Sequence, residues 1–287
     1  MQSETSRTLK VCSLQYKPVY KDIDESSQIA DKLLSGFSDQ DEFDVILLPE
    51  MAFAGYTFDD KEDIEPYLEE AKSGKTFEWC ASTAKRLKAY VFCGYPEKEG
   101  TKMYNSQLVV SPEGEFLKSY KKTYLYETDE TWADEGPGFE CMTIKNRAGQ
   151  EVKIGNGICM DINPYKFQDE SAPGAKACAF ANYHADNDVE VILFSSNWVD
   201  SDLDKVADDE ATMSTLNYWC YRLAPFMRPK DTSKKRYFVC ANRNGEEKGT
   251  NYVGSSCFLM GHEGKFTLLG NLSRPAVGAL QATLKLD

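Results

Sequence analysis

The chain has 287 residues, 41% of them apolar, enough for one large core or two modest domains. Its 46 acidic against 33 basic side chains leave a net charge of −13, which excludes a reader of nucleic-acid backbones, because phosphate needs a basic surface. The opening Met-Gln-Ser-Glu-Thr-Ser-Arg has no apolar h-region, and no run approaches the roughly 20 apolar residues of a membrane span, so a soluble cytoplasmic protein without a membrane partner is expected.

In chain order, 9–16 reads as a strand and 25–37 as an amphipathic helix. The short apolar run 44–49 suits a buried strand that ends at Glu50. Helical spacing returns over 76–89, with Phe77, Cys80, Ala84 and Leu87 on one face, and 90–95 is the next strand. A hairpin follows, 104–110 and 115–124 around a Ser-Pro-Glu-Gly turn. A second hairpin joins 139–144 to 151–159. Then come a helix at 176–187, a strand at 190–195, a helix at 210–223, a strand at 237–241 and a mostly β tail over 252–286. The basic triplet Lys234-Lys235-Arg236 reads as a solvated loop before a strand. No Pro/Ser/Gly-rich linker interrupts the pattern, so 1–287 reads as a single domain: an α/β fold of mixed sheets covered by helices.

Nine cysteines, odd in number and scattered, fit a reducing compartment better than a disulfide framework. With two histidines and no Cys-x-x-Cys, neither a metal nor a cofactor is expected. Eight of these thiols read as small buried hydrophobes. Cys159 differs, because the apolar stretch Val152-Lys-Ile-Gly-Asn-Gly-Ile158 ends on it and a polar turn follows. A thiol at such a turn is presented at a sheet rim, and the N–H of Met160 just beyond it can face a reacting oxygen. Gly155 and Gly157 read as relief of crowding beside that strand.

Two other segments place a reactive group near a strand end: Val-Ile-Leu-Leu-Pro-Glu50 and Tyr120-Lys121-Lys122. Singly, each has a plainer reading as a solvated charge. Together they meet the needs of amide hydrolysis by a thiol. A desolvated carboxylate can take the thiol proton and return it to departing ammonia. A fixed lysine with a backbone N–H can stabilise the oxyanion.

These segments, Leu-Leu-Pro-Glu50 with Gly55-Tyr56, Tyr-Lys-Lys122-Thr-Tyr-Leu125 and Gly-Ile-Cys159-Met-Asp161, resemble the three signatures of the nitrilase (carbon–nitrogen hydrolase) superfamily. The resemblance implies the four-layer α-β-β-α sandwich, with Glu50 as general base, Lys122 as oxyanion cation and Cys159 as nucleophile. It also implies a supporting second glutamate, matched here by Glu135 in Trp-Ala-Asp-Glu135-Gly-Pro-Gly. The family's Lys-x-His-Leu is Lys122-Thr-Tyr124-Leu in this chain, a departure that bears on substrate preference.

A narrower resemblance lies in Cys159-Met-Asp-Ile-Asn-Pro-Tyr-Lys-Phe167, Tyr218-Trp-Cys-Tyr-Arg-Leu-Ala-Pro225, Ala241-Asn-Arg-Asn-Gly245 and Tyr252-Val-Gly-Ser-Ser256. These look like the fungal amidohydrolases that deamidate N-terminal Asn and Gln of proteins and feed the N-degron pathway of turnover. That likeness implies protein or peptide N-termini bearing Asn or Gln as partners, and the acidic chain suits a cationic α-ammonium. Asp161, Asn197 and Trp198 are the expected substrate-binding residues. Three alternatives stand beside this reading. One is a small-molecule ω-amidase or carbamoyl hydrolase of the same superfamily, another a Cys–His hydrolase using His184 or His262, and the third a binding module on the same scaffold. Monomer and homodimer are both open.

Overall fold

The computed structural model describes residues 6–168, 178–200, 210–228, 231 and 233–287. Its strands are β1 (Thr8–Gln15), β2 (Val45–Leu47), β3 (Tyr90–Glu99), β4 (Lys102–Val110), β5 (Phe116–Lys121), β6 (Cys141–Lys145), β7 (Glu151–Ile158), β8 (Val191–Ser196), β9 (Arg236–Asn242), β10 (Asn244–Glu247), β11 (Thr250–Val253), β12 (Cys257–His262), β13 (Lys265–Asn271) and β14 (Gly278–Lys285). The helices are α1 (Ile23–Leu34), α2 (Lys61–Ile64), α3 (Lys75–Leu87), α4 (Glu127–Glu130), α5 (Ala179–Asp186), α6 (Met213–Arg222) and α7 (Ala224–Met227). Residues 176 and 177 of the helix expected at 176–187 lie outside the described residues.

Two six-stranded sheets carry the fold, ordered β14-β1-β2-β3-β4-β5 and β13-β12-β9-β8-β7-β6, with β10 and β11 as a separate ribbon. Each sheet has three parallel strands, β1, β2, β3 and β7, β8, β9, flanked by antiparallel partners. Alternation along the strands makes the layers. Val45 and Leu47 of β2 join Leu9 and Val11 in the core between the sheets, together with Ile154, Val191, Leu193 and Val239 of the second sheet. Ile46 points to the other face, where Cys80, Ala84 and Leu87 of α3 cover it. On the second sheet Ile192, Phe194 and Phe238 pack under Phe180 of α5 and Leu216 and Trp219 of α6. Buried on both faces, β2 is therefore apolar throughout, as a central parallel strand must be. Helix, sheet, sheet, helix is the α-β-β-α order, with mixed sheets.

Three differences from the sequence reading bear on packing. Helix α1 starts two residues before 25, because the side chain of Asp22 accepts the Glu25 N–H and caps it. Strand β3 runs on past Tyr95 to Glu99 and turns directly into β4. Its polar end is stabilised by Glu97, buried and accepting the hydroxyls of Ser106 and Ser119 at 2.6 and 2.7 Å. Arg236 is no loop residue: it opens β9, buried, and pairs with Asp188.

Candidate active site

Glu50 follows β2, Lys122 follows β5, Cys159 follows β7 and Asn197 follows β8, so both sheets deliver polar groups at the carboxyl ends of their strands. The backbone around Glu50 lies directly on β3. A Cβ on Gly94 would fall 2.5 Å from the Glu50 Cα and from the Pro49 carbonyl oxygen, so only glycine fits there.

Glu50 and Lys122 are wholly buried and paired, Nζ to Oε1 at 2.6 Å. Asn105 of β4 donates to the same oxygen at 2.7 Å, and the Asn197 N–H donates to Oε2 at 2.7 Å. Burial raises the Glu50 carboxyl above its ordinary range, with Lys122 pulling the other way. Burial alone would lower the Lys122 ammonium, yet the carboxylates of Asp129 and Glu50 hold it above the usual lysine range. The lysine therefore stays charged and the carboxyl is poised to carry a proton.

The second carboxylate at this lysine is Asp129, not Glu135. Asp129 of α4 is buried and meets Lys122 Nζ at 2.5 Å. It also accepts Asn105 Nδ2 at 2.9 Å, the Tyr126 N–H at 3.0 Å and the Tyr56 hydroxyl at 3.1 Å. Glu135 is exposed and interacts with Tyr165. What its segment supplies is Gly136, whose N–H donates to the Lys122 carbonyl at 2.8 Å, where a Cβ would fall 2.2 Å from the Lys121 oxygen. Five carboxylates lie between 127 and 135, and no local signal ranks them; only the fold shows which one reaches the lysine. Lys121 belongs elsewhere, paired with Glu99 at 2.6 Å.

Cys159 sits in the left-handed region at φ 38, a strained position for a non-glycine residue and the mark of a tight strand-to-turn elbow. It opens a one-turn 3-10 helix, so the N–H of Met160 lies in a first turn, where it has no acceptor within the helix. Burial, with Glu50 nearby, pushes the thiol up; Lys122, Ser196 and the Asn197 N–H pull it down. Burial thus favours the neutral thiol over the thiolate.

A cavity of about 540 Å³ opens on Cys159, with Met160, Asn197, Trp198, Tyr126, Tyr218 and Asn163 among its walls. Tyr218 of α6 donates to Asn163 Oδ1 at 2.7 Å, joining two walls. Neither arginine nor lysine is among the described lining residues. Asp161, expected here from the sequence, is not in the wall: its carboxylate is wholly buried and turned into the protein. Tyr124 packs against Phe139 and Tyr165 rather than lining the cavity. His184 lies under β7, where its ring fills the space a Cβ on Gly155 would need, and no histidine is among the described lining residues. The glycines at 155 and 157 do relieve crowding, against His184 and Phe180 respectively. Tyr126 and Tyr218 escape a sequence reading because they come from separate segments and meet only in the fold.

A slightly larger cavity, about 620 Å³, lies at the opposite, amino ends of β7, β8 and β9. Its walls include Arg7 paired with Glu190 and Arg236 paired with Asp188.

The family model for carbon–nitrogen hydrolases matches residues 10–199. A protein N-terminal amidase from Schizosaccharomyces pombe is 31% identical over 259 residues, covering 84% of this chain and 87% of that protein. A protein N-terminal amidase from Saccharomyces cerevisiae is 34% identical over 212 residues, covering 68% of this chain and 46% of that protein. The fold matches a crystal structure of an N-terminal amidase with an Asn-Glu-Ala peptide at a TM-score of 0.85 and 24% identity, over 96% of this chain and 98% of that one.

Proposed function

This chain belongs to the carbon–nitrogen hydrolase family, and from that premise we propose that it is a protein N-terminal amidase, converting N-terminal Asn or Gln to Asp or Glu with release of ammonia. The observation that carries the proposal is a thiol that opens on a cavity with aromatic walls and lies within electrostatic reach of the buried Glu50–Lys122 pair. Its described lining holds no cation to receive a free amino acid's α-carboxylate, which weighs against the ω-amidase reading. Aromatic faces such as those of Trp198 and Tyr218 suit a cationic α-ammonium instead. Both sheets contribute to the site, so residues 1–287 act as one domain. Nine free cysteines support a cytoplasmic place of action.

Glu50 takes the Cys159 proton as sulfur attacks the carboxamide carbon. Lys122 and the Met160 N–H stabilise the oxyanion that forms. Collapse breaks the C–N bond, and Glu50 returns the proton to the leaving ammonia, leaving a thioester. Glu50 then deprotonates water, whose oxygen attacks the thioester carbon; collapse breaks the C–S bond, Glu50 returns the proton to the departing Cys159 sulfur, and the acid formed ionises and leaves as its carboxylate. Asn105 and Asp129 hold Glu50 and Lys122 in place throughout.

The test is mass spectrometry of peptides that begin with Asn or Gln and carry a second, internal Asn. The expected result is the mass gain of one deamidation, located at the first residue and absent with Cys159→Ala. Conversion at the internal Asn, or unchanged turnover by Cys159→Ala, would contradict it.

A further inference from the structure

Asp161 lies two residues past the nucleophile, yet its carboxylate faces away from the cavity and is fully buried. Oδ1 accepts the N–H groups of Thr123 at 3.0 Å and Tyr124 at 2.9 Å, the two residues after Lys122. Oδ2 accepts the Ile158 N–H at 2.9 Å and the Tyr120 hydroxyl at 2.8 Å. Tyr120 is the penultimate residue of β5, which leads into Lys122, and Ile158 immediately precedes Cys159. One carboxylate thus bridges the carboxyl end of β5 in the first sheet and that of β7 in the second.

We propose that Asp161 is a positioning residue that sets the Cys159 thiol and the Lys122 ammonium in register across the two sheets. The inference rests on the catalytic reading of those two residues. Its physical content is specific. The two sheets meet through apolar side chains and through buried hydrogen bonds of Gln107 to Asn156 and Ser195 and of Ser13 to the Cys240 carbonyl; the Asp161 contacts add a direct link between the two strand ends that carry Lys122 and Cys159. Four donors converging on two oxygens leave one relative placement of the strand ends. An amide in the same place has a single accepting oxygen, and its NH2 group would confront donors. Asp161→Asn therefore keeps the volume and removes the registration.

The experiment compares the parent with Asp161→Asn, Tyr120→Phe and the double variant. Steady-state kinetics are measured on an Asn-initiated peptide, and alkylation of Cys159 by iodoacetamide is followed across pH. Asp161→Asn is expected to lower kcat by about tenfold or more at nearly unchanged KM, because a misplacement of the order of 1 Å at reacting groups costs that much. Its alkylation profile should move to higher pH, as the thiol loses the nearby ammonium. Tyr120→Phe should show the same pattern more weakly, and the double variant should fall short of the two losses combined. Near-parental kcat and alkylation in folded Asp161→Asn would overturn the proposal, and so would a rise in KM alone, which marks a wall of the cavity. If Asp161→Asn does not fold, Tyr120→Phe decides: lower kcat with a shifted alkylation profile supports the bridge, and parental values remove it. A parent inactive on the peptide would count against the amidase reading, while the alkylation profiles would still judge the bridge.

Discussion

At the scale of single residues, the site turns on how few groups share one lysine. Lys122 is held by Glu50 and Asp129 together, and Asn105 donates to both carboxylates. Glu50→Gln should abolish turnover, since both the acylation and the hydrolysis step need its proton transfer. Asp129→Asn keeps the shape but removes one charge from the lysine, and should lower kcat by about tenfold to a hundredfold while KM changes little. Stopped-flow and steady-state kinetics of the two variants check this; near-parental kcat in Asp129→Asn would return Asp129 to a structural part. Glu50, Lys122 and Cys159 are legible in the sequence because each stands just past a strand end, Glu50 and Cys159 after apolar runs and Lys122 after the second strand of a hairpin, and a strand end is where a reactive side chain can leave a sheet. Asp129 is not legible, because it sits in an acidic segment whose members differ only in where the fold carries them. Asp161 misleads for a related reason: nearness in sequence to the nucleophile gives no direction for a side chain, and the tight turn at Cys159 aims this one inward.

Elements show the same division. The central strands are readable from their unbroken apolar runs, and α3 from its spacing, but the reach of β3 is hidden by Pro96 and the charges after it. Of those charges, Glu97 is buried and accommodated by two serine hydroxyls that come from β4 and β5, while Lys98 and Glu99 pair with Glu65 and Lys121. Helix α5 meets β7 through His184, whose ring stands over Gly155 and edge-on to Phe180 at 4.5 Å. Burial lowers the His184 pKa to about 3 from the ordinary 6.5. The unfolded chain then binds a proton as pH falls through 6.5, while the folded protein does not until near pH 3. This contact is thus at full strength above 6.5 and loses strength as pH falls toward 3. Between pH 7 and pH 5 the loss from this group is at most about 2 kcal/mol. Urea unfolding of the parent and His184→Phe at the two pH values isolates it: the variant should lose less stability on acidification. Equal losses in both proteins would show that His184 titrates normally.

At the scale of the whole molecule, two sheets of matching order face one another, and the chemistry sits where the carboxyl ends of their strands converge. The α-β-β-α order is implied by the alternation of helices and strands together with the family signatures. The cavity is not, because its walls come from Tyr126 just before α4, from α6 and from the turns after β7 and β8, which are separate in the sequence. In the proposed function this cavity takes a polypeptide by its first residue, with the α-ammonium among aromatic rings and the carboxamide at Cys159. The most direct measurement is kcat/KM for one Asn-initiated peptide with its α-amine free and with it acetylated. Acetylation removes the charge and leaves buried groups of the cavity without their partner, so kcat/KM should fall by orders of magnitude. Equal values for the two peptides would contradict the account and leave a general side-chain amidase in its place.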